Sequence, residues 1–140
     1  MPIIKYLYHF THPGNLPSIR RYGLLSWYQL LDKGISHIQA SNELSRSLDK
    51  RRNLEDFVRL TLAQEHPMFN AALYYRRVNK LCWIRIDGSI CGLYETLFSN
   101  DNATSNRALI SNNIVTALNS NSQQAEILVK SKIEPEFIYF

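Results

Sequence analysis

The sequence predicts one mixed α and β domain that spans all 140 residues. Short β-branched and aromatic runs are interspersed with segments of helical composition, a pattern typical of such a domain. Apolar residues make up 45% of the chain and charged residues 20%, which is enough to bury a two-layer core without disulfides or metals. No stretch approaches the ~18 consecutive apolar residues of a membrane helix, and the N-terminus lacks the pattern of a secretory signal. We therefore expect a cytoplasmic protein with no membrane partner.

The first third of the chain predicts a strand, a turn and a helix. Residues 3–10, IIKYLYHF, are β-branched and aromatic and predict an opening strand. A turn follows at His12, Pro13 and Gly14. From Asn15 the apolar residues recur at helical spacing, and the run ends at Gly23, so we expect a short helix with an Asn cap and a glycine exit. Leu24, Leu25 and Trp27 then lead into the core.

The rest of the chain alternates between strands and polar connections. Residues 36–53 predict a polar, basic loop, 57–63 a strand, 70–78 a helix and 81–87 another strand. Residues 99–124 hold seven asparagines and five serines, and predict a connection with one short helix. Residues 125–130 and 136–140 predict closing strands separated by a turn at Pro135.

The charge and the cysteine and histidine residues limit the kinds of partner and site that the sequence supports. The net charge of +4 favours a polyanionic partner, although an ordinary solvated surface explains it equally well. Cys82 and Cys91 lie in apolar runs and predict free thiols. The histidines and cysteines show no metal-ligand spacing, so we assign no metal. The sequence also lacks the glycine motifs of Rossmann and P-loop phosphate sites and the G-x-S-x-G elbow of serine hydrolases.

Three groups of residues are candidates for chemistry. Glu126 opens an apolar strand after a long polar loop, where a partly desolvated carboxylate could stabilise a developing cation; the alternative is a solvated glutamate at a strand end. His9 and Thr11 alternate on one side of the first strand and offer two polar groups to a pocket, or a structural role. The basic stretch with Arg46, Arg51 and Arg52 suits phosphate binding, or is a generic surface loop.

Three blocks in this order resemble the DarT family of DNA ADP-ribosyltransferase toxins. They are YHFTHPGNLPSIRRYGLLS (8–26), SNELSRSLDKRRNLEDFVRLTLAQEHPMF (41–69) and QAEILVKSKIEPEFI (124–138). The resemblance implies an α+β, ADP-ribosyltransferase-like fold in which two antiparallel sheets form a split NAD-binding cleft. It implies that the protein uses NAD to modify a base in DNA. The DNA is expected to be single-stranded, because a base must leave its stack before its ring nitrogen can be attacked.

The resemblance also implies roles for individual residues. Glu126 would be the catalytic carboxylate, and Arg46, or one of Arg51 and Arg52, the functional arginine. The residues that would bind NAD are His9, Thr11, Asn15, Gly23, Leu24, Arg46 and Met68. Side-chain chemistry, beside the resemblance, suggests residues for the acceptor: Gln124, two positions before Glu126, would orient the nucleotide, and Arg52 would bind its phosphate. Tyr74, Tyr75, Tyr94 or Phe98 could stack a splayed base, or these aromatic residues belong to the core. A macrodomain antitoxin that removes the ADP-ribose is the expected protein partner.

Two alternatives stay open at this point. The acceptor could be RNA or a protein side chain, since positive charge favours nucleic acid but does not separate DNA from RNA. The chain could instead be a non-catalytic nucleotide- or DNA-binding module on the same fold, which would bind without turning NAD over.

Overall fold

A computed structural model describes residues 4–38, 54–64, 80–101, 103, 108–118 and 125–140. In these ranges the strands are β1 Tyr6–Thr11, β2 Leu24–Leu25, β3 Phe57–Thr61, β4 Cys82–Asp87, β5 Thr96–Ser99, β6 Ile110–Ser111, β7 Glu126–Lys130, β8 Lys132–Ile133 and β9 Ile138–Tyr139. The helices are α1 Leu16–Tyr22, α2 Trp27–Asp32, α3 Ile90–Leu93 and α4 Val115–Leu118, and short 3₁₀ turns cover Pro13–Asn15 and Pro135–Phe137.

A seven-stranded sheet in the order β6-β5-β7-β3-β1-β4-β9 organises the fold, and β2 and β8 form a small second sheet. Every pairing between these strands is antiparallel. β1 runs alongside β4 from Tyr6 opposite Asp87 to Thr11 opposite Cys82. Between the described parts of β1 and β3, Tyr8 and Thr61 are the one pair of directly opposed residues. The sheet therefore consists of two halves, β6-β5-β7-β3 and β1-β4-β9, joined at that pair.

Apolar residues of the alternating strands cover one side of the sheet, called here the core face. Leu7, Leu60, Ile86 and Ile127 are fully buried there, and Ile19 of α1 packs into the same cluster. Burying each such side chain contributes about 1.5–3 kcal/mol. The opposite side, called the Glu126 face, carries Glu126 and a smaller apolar cluster of Leu54, Phe57, Ala103 and Leu128.

Gly23 ends α1 as predicted, with φ of 85°. Its backbone lies so close to β8 that a Cβ at this position would meet the carbonyl oxygen of Ile133 at 2.2 Å. The neighbouring Leu24 is 4% exposed and pairs with Ile133. The glycine exit therefore packs α1 against the small sheet.

The helix α2 was not expected from the sequence, because it has only six residues and none of them is buried. Tertiary contacts stabilise it. The Ser26 hydroxyl accepts from the Gln29 amide at 3.1 Å and donates to Asp56 Oδ1 at 2.8 Å. The other oxygen of Asp56 accepts from the Ser131 hydroxyl at 2.7 Å. One carboxylate thus connects α2, the start of β3 and the turn between β7 and β8.

Most predicted elements are confirmed where the structure describes them, namely the strands over 57–63, 81–87 and 125–130 and the helix after Asn15. The closing strand predicted over 136–140 is shorter, because the turn at Pro135 continues to Phe137 and leaves Ile138–Tyr139 as β9. The 99–124 segment contains α4 as its short helix and also β6, which pairs with β5. The helix predicted over residues 70–78 lies outside the described residues.

The α+β class with antiparallel sheets is confirmed. The expected two sheets take the form of one large sheet with two halves, because the Tyr8–Thr61 pair connects them, plus the small β2-β8 sheet. In the described part of the chain, no helix has the length and apolar character needed to cross a membrane.

Candidate active site

Glu126 is the first residue of β7 and lies between two hydroxyl side chains. Its cross-strand neighbours are Thr61 on β3 and Ser99 on β5. All three residues are buried, and Glu126 is 3% exposed. The sequence alternative of a solvated glutamate at a strand end is therefore wrong, because Glu126 is buried between β3 and β5.

Two groups fix the position of the Glu126 carboxylate. The backbone amide of Ala103 donates to Oε1 at 3.0 Å, and Nη1 of Arg59 lies 3.7 Å from the same oxygen. Burying a carboxylate is costly unless charge-assisted hydrogen bonds or an opposite charge offset the lost hydration. The amide and the guanidinium supply both at this strand end.

Tyr8 shares a row of the sheet with Glu126. The register pairs Tyr8 with Thr61, Thr61 with Glu126 and Glu126 with Ser99. Residues directly opposite one another across strands project from the same face. Tyr8 is therefore a site candidate that sequence reasoning missed, because the alternation of β1 identifies two faces but not which of them faces β7.

His9, Thr11 and Asn15 form a second polar cluster. Asn15 Nδ2 donates to Thr11 Oγ1 at 3.0 Å and to the carbonyl of Ile38 at 2.8 Å. Asn15 Oδ1 accepts from the amide of Ile38 at 2.9 Å. Asn15 occupies the cap position of α1, but its side chain makes no capping hydrogen bond there; it connects β1 to the segment at Ile38 instead.

His9 reaches across the junction between the two halves of the sheet. Its Nδ1 lies 2.8 Å from the carbonyl oxygen of Arg59, so Nδ1 carries the proton, since a carbonyl only accepts. Burial lowers the pKa of His9 despite this hydrogen bond. Lost hydration and repulsion from His9 likewise lower the pKa of His37 to about 4. Both rings are neutral at pH 7, which leaves them able to accept as well as donate hydrogen bonds.

The two polar clusters lie on opposite faces of the sheet. His9 pairs with Ile84 of the core, whereas Glu126 shares the row of Tyr8, the neighbour of His9. The structure therefore does not bring Glu126 onto the face that carries His9 and Thr11. Arg59 connects the clusters, because its carbonyl accepts from His9 and its side chain pairs with Glu126.

The remaining candidates divide into core residues and residues outside the described ranges. Gly23, Leu24 and Phe98 pack in the core, and Tyr94 packs against it while its hydroxyl accepts from the Glu134 amide at 3.2 Å. The candidates outside the described residues are Arg46, Arg51, Arg52, Met68, Tyr74, Tyr75 and Gln124.

Cysteine chemistry and metal chemistry find little support in the described residues. Cys82 and Cys91 are free. Burial raises the pKa of both thiols, that of Cys91 to about 11, which disfavours the nucleophilic thiolate. No group of three or more histidine, cysteine, aspartate or glutamate side chains in the described ranges is arranged to hold a metal ion.

Comparison with known proteins gives one family and several similar structures. Residues 8–139 match the family described as ssDNA thymidine ADP-ribosyltransferase, DarT. The structure of Thermosipho africanus DarTG in complex with ADP-ribose superposes with a TM-score of 0.78 at 21% identity, covering 96% of this chain and 42% of that one. A search of curated proteins found no match.

Two structures of Thermus sp. 2.9 DarT are also similar. The complex with NAD+ has a TM-score of 0.72 at 18% identity and covers 98% of this chain and 80% of the other. The complex with ADP-ribosylated ssDNA has a TM-score of 0.68 at 17% identity, and the match covers 94% of this chain and 77% of the other. These likenesses establish the fold, and the present chain spans less than half of the Thermosipho chain.

Proposed function

Since this chain belongs to the DarT family, we propose that it is an NAD-dependent ADP-ribosyltransferase that modifies thymidine in single-stranded DNA. The family match supports this proposal because it spans residues 8–139 and its description names that reaction. The similar Thermus sp. 2.9 structures contain NAD+ in one case and ADP-ribosylated ssDNA in another.

The observation that carries the catalytic assignment is the buried carboxylate of Glu126, fixed by Ala103 and Arg59. Cleaving the bond between nicotinamide and ribose passes through a state with oxocarbenium character, as in glycoside hydrolysis. A fixed carboxylate stabilises that cation and accepts a hydrogen bond from the ribose 2-hydroxyl. It can also take the proton of the attacking base nitrogen, a general-base role that contributes about 10²- to 10⁴-fold.

The two oxygens of the carboxylate have different roles in this proposal. The contacts from Ala103 and Arg59 both use Oε1, and we assign Oε2 to the ribose hydroxyl. Glu126 is 3% exposed, so its charge acts in a poorly solvated environment, where it interacts strongly with a developing cation.

We assign the NAD cleft to the junction of the two sheet halves; the support is that β1 and β3 share one pair there in the described residues. Thr11 and Asn15 lie on one side of that junction, and His9 spans it. Binding roles for these residues and for Gly23 and Leu24 rest on the family resemblance. The roles expected from the sequence for residues outside the described ranges stay predictions, namely those of Arg46, Arg51, Arg52, Met68, Tyr74, Tyr75 and Gln124.

The decisive experiment is mass spectrometry of a short thymidine-containing DNA oligonucleotide after incubation with NAD and the protein. We expect the oligonucleotide to gain one ADP-ribose unit while nicotinamide is released. Glu126→Gln keeps an acceptor oxygen for Ala103 but removes the charge, so transfer should fall by at least about 100-fold. Glu136→Gln, at an exposed position of the Pro135–Phe137 turn, is the matched control and should transfer at the normal rate.

This experiment tests the acceptor, the catalytic residue and NAD turnover separately. ADP-ribose that appears on RNA or on protein but not on DNA would contradict the acceptor. Unchanged transfer by Glu126→Gln would contradict the catalytic role of Glu126. Binding of DNA or nucleotide without nicotinamide release would favour the non-catalytic module.

We propose further that the protein acts in the cytoplasm as a toxin and that a macrodomain partner removes the ADP-ribose. The support is the family resemblance, since base modification blocks replication. Expression of the folded wild-type protein should arrest growth, whereas Glu126→Gln should not, and a co-expressed macrodomain hydrolase should restore growth. Harmless expression of the active wild-type enzyme would exclude a toxic role.

A further inference from the structure

Three side chains at the β9 edge of the sheet form a stack of aromatic rings and one cation. The guanidinium of Arg85 lies 4.4 Å from the ring centre of Tyr6 and 5.2 Å from that of Tyr139. The two rings meet edge to face with centres 5.7 Å apart. We call Tyr6, Arg85 and Tyr139 the tyrosine–arginine stack.

The stack is accessible and positively charged. Arg85 is exposed and Tyr139 is 44% exposed. Lys5 adds a second cation 5.4 Å from the ring centre of Tyr6, while Asp87 accepts from the Tyr139 hydroxyl at 3.4 Å. Cation–π contacts hold Arg85 in place while its N–H edge stays available to a phosphate.

The strand register places Arg85 and Tyr139 of this stack in the same row as Glu126, and Tyr6 in the adjacent row opposite Asp87. Tyr139 pairs with Arg85, Arg85 with Tyr8, and Tyr8 with Thr61, which is the neighbour of Glu126. Paired residues share a face, so the row runs across the Glu126 face from β9 to β7. Arg85 and Glu126 are three strand spacings apart, roughly 14 Å.

Aromatic side chains continue along the neighbouring row. Phe10 pairs with Trp83 on β4, and the rings meet edge to face with centres 5.2 Å apart. Both residues are only partly buried. The Glu126 face of β1 and β4 therefore carries tyrosine, phenylalanine and tryptophan rings beside basic groups.

We propose that this surface is the track along which the single-stranded DNA substrate lies as it delivers a base to Glu126. The proposal rests on the function proposed above and identifies where the substrate binds. Proteins that bind single strands combine cationic groups for the backbone with aromatic rings on which bases stack, and some arrange them on an open sheet face. Arg85 takes a phosphate, and Tyr6 and Tyr139 stack bases a few nucleotides from the modified one.

Fluorescence anisotropy with a labelled thymidine oligonucleotide of about 10 nucleotides tests the track in the Glu126→Gln background without NAD, so that turnover plays no part. Adding Arg85→Gln should weaken binding by about tenfold and reduce the slope of log affinity against log salt by about 0.7. Tyr139→Ala should weaken binding by about fivefold or more. Tyr139→Phe, which keeps the ring and loses the contact with Asp87, should retain the affinity.

Arg21→Gln is the charge-matched control. Arg21 belongs to α1, which packs on the core face through Ile19, so its loss should leave both affinity and salt slope nearly unchanged. A thermal melt of each variant separates weaker binding from unfolding.

Equal losses for Arg85→Gln and Arg21→Gln would overturn the track, because net charge alone would then explain binding. Loss of affinity for an RNA oligonucleotide but not for DNA would also overturn it. If Arg85→Gln binds DNA normally while the wild type still modifies DNA, the track fails and the proposed function stands. If Arg85 proves essential for DNA binding but no nicotinamide is released, the function fails and the track stands.

Discussion

The contact between Arg59 and Glu126 makes a quantitative prediction about stability. Nη1 and Oε1 are 3.7 Å apart, which corresponds to about 4.5 kcal/mol of attraction at an effective dielectric constant of about 20. The Arg59 side chain is 24% exposed and that of Glu126 only 4%. Because both groups lose hydration, much of the attraction offsets that loss. We expect a net coupling of about 1–2 kcal/mol.

Four proteins measure this coupling: the wild type, Arg59→Met, Glu126→Gln and the double variant. Methionine keeps the aliphatic stem of Arg59 and removes the charge. Glutamine keeps the acceptor for the Ala103 amide, which donates at 3.0 Å. Arg59→Met alone should lower the free energy of unfolding by about 2–3 kcal/mol, and by clearly less in the Glu126→Gln background. Urea denaturation at pH 7 gives the four values.

The pair Lys132 and Glu134 is the internal control. Its nitrogen and oxygen are closer, at 2.9 Å, but the side chains are 40% and 43% exposed. Solvent screening and side-chain entropy reduce such pairs to about 0.5 kcal/mol or less. A cycle with Lys132→Met and Glu134→Gln should give this small value. If the coupling of the closer, exposed pair equals or exceeds that of Arg59 and Glu126, burial does not determine the strength of the interaction.

Two further predictions concern the glycine exit and the half-buried His9. Gly23→Ala should lower the free energy of unfolding by at least about 2 kcal/mol, since its Cβ would meet the Ile133 carbonyl oxygen. The control is Gly34→Ala, at φ of 65° with nothing within 4 Å of the added Cβ, which should lower it by only about 1 kcal/mol. Urea unfolding measures both variants, and equal losses would show that close packing against Ile133 does not matter. The pKa of His9 lies below its usual 6.5 in the folded state, so the unfolded state binds more protons below that pH, and stability is full above about pH 6.5 and falls on acidification. His9→Gln, which can still donate to the Arg59 carbonyl, should make the urea midpoint of unfolding depend less on pH between pH 7 and 5. If the midpoint changes with pH as much as in the wild type, His9 does not titrate in this way.

Much of the fold follows from local sequence. The alternation of apolar residues in β3 predicts a strand because period two places every second side chain on one face, and the short β-branched and aromatic runs of β4 and β7 predict strands by composition. Gly23 marks the end of α1 because few other residues adopt a positive φ there. The site was harder to predict. Glu126 was a candidate from its position after a polar loop, but its burial depends on Thr61, Ser99 and Ala103, which come from three other segments.

The sequence by itself determined the strands β1, β3, β4 and β7, the helix after Asn15, the family resemblance and the carboxylate at the start of β7, but not the short strands β2, β5, β6 and β8. Only the tertiary structure decided that Tyr8, rather than His9, shares a row with Glu126, and that Arg59 is its charged neighbour. The reason is register: a shift of one residue between two strands exchanges every side chain between the two faces of the sheet. Pairing between strands that are distant in the chain sets that register, and local patterns do not encode it.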